Sequence, residues 1–318
     1  MERKLLALEQ IDLKDERFRT SYFFSLDHLI LSITKNGLLH PPCVVLRDNL
    51  FVLVSGWRRV LACLELTSSL REVLVMEEKD DLRAFLAAFY ENLGTREFSF
   101  VEKAEVLSRF KKFGAREDEL QKQYFPLLGI PRSPFHLDVY LALADFDFSL
   151  KKAIHEKNMP FSTVRLLGEF NAEERQLVLP LLLPLGRNKQ QEILENLLEI
   201  SRREDLAPGG ILGDQEIQKA LNTPKLSQLQ KAERVRLALR RKRFPHLASW
   251  QESFERSLNK MRWPREINLK PSPFLEEDTL SVTFEFKTKK EFHAKVKKLE
   301  SLASRPEFSR MRKIPSDD

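Results

Sequence analysis

Val54-Ser55-Gly56-Trp57-Arg58-Arg59-Val60-Leu61-Ala62 is the stretch on which the reading of the fold turns. The apolar run Phe51-Val52-Leu53-Val54 enters it, Gly56 stops that run, and from Trp57 to Leu66 the pattern is helical. A strand that turns through glycine into a helix gathers free backbone N–H groups and the positive end of the helix dipole at one spot. Arginine adds a planar fork suited to phosphate oxygens, and two stand here. The competing reading is a solvated pair of arginines on an exposed turn. The alternation continues outward on both sides. Leu8 to Leu13 predicts a strand, Leu26 to Thr34 a helix stopped by Gly37, Cys43 to Leu46 a strand turned at Asn49, and Val73 to Met76 another short strand. Residues 1–97 are therefore expected to form a small α/β domain.

Beyond Lys79 the texture is helical to about Ile200, with Phe85, Phe89, Ala104, Leu107 and Phe110 in period, so 98–204 reads as an all-helical domain. Pro180, Pro184, Pro208, Gly209, Gly210 and Gly213 gather near its end and predict a linker over 205–249 that carries a basic helix, Lys231 to Arg243. In residues 250–318 a helical stretch, Trp250 to Leu258, precedes Ile267 and Leu269. Leu280, Val282, Phe284 and Phe286 then alternate with polar neighbours, and helical spacing returns from Thr288 through Phe292, Val296 and Leu299. The expected class is α+β and multidomain, with a β-β-α unit at the C-terminal end.

Composition bounds the function. The chain has 318 residues with 53 Lys+Arg against 47 Asp+Glu, and 42% hydrophobic residues, enough for two or three real cores. Collagen-like and wholly disordered classes are excluded. No apolar run approaches membrane-spanning length and the N-terminal stretch is broken by charge, so the expectation is a cytoplasmic protein with no membrane partner. Cys43 and Cys63 lack any zinc spacing, and the six histidines form no known hydrolase motif. Charge is uneven: residues 225–318 hold 23 basic and 13 acidic side chains, the remainder 30 and 34. That excess suits a phosphate backbone.

A second constellation is Glu91-Asn92-Leu93-Gly94-Thr95-Arg96-Glu97, followed by the capping box Ser99 to Glu102. Carboxylate and amide suit Mg²⁺, directly or through water, while hydroxyl, arginine and helix N-terminal N–H groups suit phosphates. An ordinary inter-helix turn is the other reading. In Arg234 to Arg243 six cations occur without an acid, a phosphate-binding face or a solvated one, and Arg240, Arg241, Lys242 and Arg243 are the expected DNA contacts.

Taken in order, Arg19-Thr20-Ser21, Ser32-Ile33, Gly37-Leu38, Pro41-Pro42, Val44, Gly56-Trp57-Arg58-Arg59 with Ala62, and Glu91-Asn92 through Glu102-Lys103-Ala104 resemble the ParB family of DNA-partition proteins. The resemblance implies a CTP-binding N-terminal domain that closes a dimer into a clamp on double-stranded DNA, nucleoid-associated and served by a partition ATPase. By position it implies nucleotide contacts from Ser21, Gly56, Arg58, Arg59, Glu91, Asn92 and Arg96, with Mg²⁺ at Glu91 and Asn92. Trp57 stands where the family has glutamate or histidine, and Thr95 where it has arginine, with Arg96 displaced by one. CTP binding is thus implied more directly than CTP hydrolysis. The middle region resembles the family's helix-turn-helix: Asp118-Glu119-Leu120 opens a helix, Leu128-Gly129-Ile130 turns, and Ser133-Pro134 starts a reader helix with Arg132, Ser133 and His136 nearest the groove. The end, Arg262 to Leu302, is similar in order to the family's dimerisation domain. Two strands and a helix bury little alone, so Phe284, Phe286, Phe292, Val296 and Leu299 are the expected homodimer face. The alternatives are a nuclease or other nucleotide-dependent enzyme on the same fold, and an adaptor without a ligand.

Overall fold

The structure is a computed structural model that describes residues 2–66, 72–271 and 279–310. Residues 311–318 of the expected C-terminal domain lie outside the described residues. The architecture is mixed α+β, and the chain divides into two compact units, Met1–Gln191 and Glu192–Asp318.

The first unit opens with β1 (Glu2–Lys4), a 3-10 turn (Leu8–Gln10), β2 (Ile11–Asp12), α1 (Asp27–Asn36), β3 (Cys43–Arg47), β4 (Leu50–Ser55), α2 (Trp57–Glu65), β5 (Val73–Met76) and α3 (Asp81–Leu93). Its five strands lie in the order β1-β5-β3-β4-β2, with β3 antiparallel to β4 and parallel to β5. Asp48 and Asn49 join β3 to β4 with φ of 47° and 66°, the positive pair that a two-residue hairpin turn requires. Val44 stands opposite Leu53 in that register, and both are fully buried. Ile33 of α1 and Val60 and Cys63 of α2 pack into the same core. The strand expected over 8–13 is shorter, because only Ile11 and Asp12 pair with β4. β1 was not legible: Glu2, Arg3 and Lys4 are all exposed, and the strand forms by backbone pairing at the sheet edge, where charge is tolerated.

The helical remainder of this unit comprises α4 (Phe100–Lys112), α5 (Glu117–Glu119), a π-helical turn (Leu120–Tyr124), α6 (Phe125–Leu128), α7 (Pro134–Ala144), α8 (Phe148–Glu156), α9 (Phe161–Gly168), α10 (Ala172–Leu182) and the start of α11 (Arg187–Glu204). Rings fill its core: Phe85 meets Phe110 edge-on at 4.8 Å, and Phe110 stacks on Tyr124 at 3.9 Å. Such pairs add directional contact to their apolar burial. The capping box at Ser99 and Glu102 forms as expected. Pro180 lies inside α10 and does not stop it at once, but the helix ends at Leu182.

The second unit continues α11 and adds α12 (Pro208–Leu212), α13 (Gln215–Leu221), α14 (Gln228–Arg243), α15 (Pro245–Met261), β6 (Ile267–Pro271), β7 (Leu280–Phe284), α16 (Lys289–Ala303) and α17 (Pro306–Arg310). The stretch read as a linker, 205–249, is packed helix: Ile211, Leu212, Ile217, Ala232, Val235 and Leu239 are buried. Pro208 occupies the first turn of α12, where its missing N–H is harmless. The division between units falls inside α11 and not near 205. A second core joins Trp250, Phe254, Met261, Leu269 and Leu302, and β6 and β7 pair antiparallel with Leu269 opposite Val282.

Candidate functional site

Gly56 ends β4 and caps α2 with φ 92°, in left-handed backbone that side chains disfavour. A Cβ there would lie 2.8 Å from Pro42 Cβ and 3.0 Å from Pro42 Cα. Glycine thus permits the segment before β3 to press against the start of α2. Beside it opens a cavity of about 760 Å³ whose lining includes Ser21, Gly56, Arg58, Arg59, Glu91, Asn92 and Arg96, all seven residues marked from the sequence for a nucleotide. They come from the loop before α1, the first turn of α2, the last turn of α3 and the turn after it. Thr20, His40, Pro41, Cys43, Trp57 and Thr95 line it too, and His40 and Cys43 had no sequence signal of their own.

Each side chain is held differently. The Arg59 guanidinium donates to the carbonyls of His40 (2.9 Å) and Pro41 (3.2 Å) and pairs with Glu91 at 2.7 Å. The Arg58 guanidinium lies over the Phe24 ring at 5.4 Å, and its buried Nε has no partner among the described residues. Trp57 is buried with the Arg19 guanidinium over its ring at 5.1 Å, so it serves as wall. Burial, with the Glu91 carboxylate adding to it, pushes the Cys43 thiol up to about 11, which keeps it protonated and poorly nucleophilic at neutral pH.

Arg96 is engaged on every side. Its Nε donates to Asn92 Oδ1 (3.1 Å), one terminal nitrogen to Glu102 Oε2 (2.8 Å) and Glu97 O (3.3 Å), and the other to Thr20 O (3.1 Å) and Ser21 Oγ (2.9 Å). That accounts for all of its N–H donors. Glu102 is 4% exposed and also accepts from the backbone N–H of Tyr22 (3.0 Å) and Ser99 (2.9 Å). A buried carboxylate persists only with such partners. The one-position displacement of Arg96 in the sequence therefore turns its guanidinium onto Glu102 and the Thr20–Ser21 loop.

The other marked residues divide. Gly129, with φ 64°, makes the turn after α6, and Ser133 stands at the N-cap of α7 with Pro134 following, but the Ser133 hydroxyl makes no cap bond. Arg132 is exposed and donates to Lys122 O, whereas His136 stacks on Phe161 at 4.7 Å. Phe135 and Asp138 are exposed on the same helix. In α14, Arg241 pairs with Glu216, Lys242 with Asp214 at 2.7 Å, and Arg243 donates to Asn196 Oδ1 at 3.1 Å. The basic run had looked unopposed because its acids sit at the N-cap and first turn of α13, which packs along α14. At the C-terminal end Phe284, Phe286 and Phe292 form a ring cluster with centroids 4.9–6.3 Å apart. Phe286 is 53% exposed and Phe292 37%, while Val296 and Leu299 are half-buried.

No family model matches the chain. The probable chromosome-partitioning protein ParB of Borreliella burgdorferi is 22% identical over 166 residues, which is 52% of this chain and 61% of that protein. The chain resembles ParB. It spans only about three fifths of that ParB's length. Two solved structures of C-terminally truncated ParB from Caulobacter crescentus are also similar. The one complexed with CTP-γ-S is 18% identical, with 56% of this chain and 99% of that chain covered and a TM-score of 0.27. The one complexed to the centromeric parS site is 16% identical, with 61% and 99% covered and a TM-score of 0.33. No helix among the described residues is long and apolar enough to cross a membrane.

Proposed function

We propose that this chain is a ParB-like DNA-binding protein in chromosome or plasmid partition, with CTP bound in the cavity of the first unit and a homodimer formed through the C-terminal unit. The observation that carries the proposal is the convergence of Ser21, Gly56, Arg58, Arg59, Glu91 and Asn92 on one cavity from separate segments. A triphosphate there meets the Arg58 guanidinium, whose Nε has no partner among the described residues, the N-terminal end of α2 and the carbonyl-anchored Arg59, an arrangement in which charge-assisted bonds favour polyanions. The relative with CTP-γ-S and the relative on parS agree with this ligand and this DNA partner.

Among the described residues no cluster of three or more His, Cys, Asp or Glu side chains could hold a metal alone. Mg²⁺ takes one or two carboxylates, waters and substrate phosphates, so Glu91 fits as its protein ligand and the nucleotide supplies the rest. When bound, the metal would neutralise phosphate charge. Glu91 is tied to Arg59, so the carboxylate that would hold the metal also holds the arginine. The exposed Arg132, in the turn before α7, and the half-buried Arg240 of α14 are the cations proposed to meet duplex phosphates, in a nucleoid-associated cytoplasmic protein partnered by a partition ATPase.

Titration calorimetry with the four ribonucleoside triphosphates and Mg²⁺ tests the proposal. CTP alone is expected to bind, and Arg58→Ala to weaken it by at least roughly tenfold, since a hydrogen bond to a charged group contributes about 1.5–3 kcal/mol. Binding that ignores Arg58 and Arg59 would refute the assignment.

A further inference from the structure

Resting on the nucleotide reading above, we infer that Arg96 is a positioning residue which commits Ser21 and Asn92 to act as hydrogen-bond donors toward the ligand's anionic oxygens, so that Asn92 is not a metal ligand. The geometry starts from Arg96 itself, whose N–H groups all meet protein acceptors. It has none left for a phosphate. What it does instead is occupy lone pairs on two residues of the cavity wall.

Ser21 Oγ accepts from Arg96 at 2.9 Å, and its own hydroxyl proton has no acceptor among the described residues. A hydroxyl whose oxygen already accepts from a cation is polarised toward donation. Asn92 is fixed in the same sense. Its Oδ1 accepts from Arg96 Nε and its Nδ2 donates to Ala88 O at 2.8 Å. The reversed amide would set Oδ1 against that carbonyl and Nδ2 against the Nε–H, losing both bonds, so the orientation follows from its neighbours. One N–H of Nδ2 remains, while the carbonyl oxygen is taken up by the guanidinium. A divalent cation would have to approach that oxygen beside a positive charge. The wall next to Glu91 is thereby a donor surface matched to phosphoryl oxygens, and the carboxylate would be left as the one ligand this wall offers a metal.

The two roles for Asn92 predict opposite signs. Asn92→Asp keeps an acceptor for Arg96 Nε, but it removes both N–H donors, the bond to Ala88 O included, and adds a negative charge, so circular dichroism first checks that the variant is folded. The full chain is titrated with CTP, and separately with inorganic tripolyphosphate, in Mg²⁺ and in EDTA. Asn92→Asp is expected to bind both at least about tenfold more weakly in either condition, and Ser21→Ala to lose roughly tenfold, as for a hydrogen bond to a charged group. Arg96→Lys, which retains a cation beside Glu102, is expected to weaken binding alone but to add less in the Ser21→Ala background, the coupling expected of a residue acting through another. Equal or tighter Mg²⁺-dependent binding by Asn92→Asp, or full additivity of Arg96→Lys with Ser21→Ala, overturns the inference while the nucleotide reading stands. Failure of the unmodified protein to bind either probe removes both.

Discussion

Replacing Gly56 by alanine separates two costs that the structure lets one calculate. The first is conformational: at φ 92° an L side chain is disfavoured, by about 1–2 kcal/mol for left-handed backbone. The second is steric, because the new Cβ would stand 2.8 Å from Pro42 Cβ and 3.0 Å from Pro42 Cα. The backbone cannot swing away as a side-chain tip could, and overpacking of this kind costs about 1–3 kcal/mol. Together they predict a loss of about 2–5 kcal/mol, or roughly 5–15 °C in Tm for a unit of this size. Gly114 supplies the control: its φ is 90°, yet a Cβ there meets nothing within 4 Å, so Gly114→Ala carries the first cost alone. Urea and thermal unfolding followed by circular dichroism should rank the two variants. If Gly56→Ala is no less stable than Gly114→Ala, the close approach of Pro42 does not constrain the site.

Phe286→Ser with Phe292→Ser should weaken self-association in sedimentation by at least about tenfold, given roughly 1.5–3 kcal/mol for burying such a ring; an unchanged dimer would place the interface elsewhere. Arg240→Gln should lower the slope of log DNA affinity against log salt by about 0.9, whereas Arg241→Gln and Lys242→Gln, already paired with Glu216 and Asp214, should change it less. Equal slopes for the three would show that the internal pairs do not hold in solution. Because burial raises the Cys43 thiol from 9.0 to about 11, the native state favours the protonated form. Its contribution is full below about pH 9 and is lost as pH rises through 11. Urea midpoints measured from pH 7 to 11 should fall more steeply for the unmodified protein than for Cys43→Ala, and parallel profiles would contradict the burial.

Much of this was legible because it is local. β3, β4, α2 and β5 lie within a residue or two of the stretches marked by alternation and by Gly56, since period and glycine act on immediate neighbours. The seven marked nucleotide residues also share one cavity. What spacing could not disclose was occupancy. Arg96 looked like a phosphate ligand because it follows Glu91 and Asn92, yet its partner Glu102 is buried only once α4 packs against the Thr20–Tyr22 loop. Residues 205–249 read as a linker because proline and glycine are counted as breakers, although Pro208 sits where a helix accepts proline. The cations of α14 appeared free because Asp214 and Glu216 are distant in sequence and adjacent in space.

The Asp48–Asn49 turn lies away from the cavity, yet it acts as a register lock for it. Two residues with positive φ leave the hairpin no slack, so the ladder is in register from Arg47–Leu50 to Val44–Leu53; it then shifts by one residue, which sets Cys43 opposite Ser55 beside the contact of Pro42 with Gly56. One residue's slip of β3 against β4 would send Val44 to the opposite face while Leu53 stayed in the core. Hairpins with such short loops close in about 1–10 μs. The ligand-facing backbone can therefore be set by a local event, ahead of the long-range packing that brings Glu91 and Asn92 alongside it.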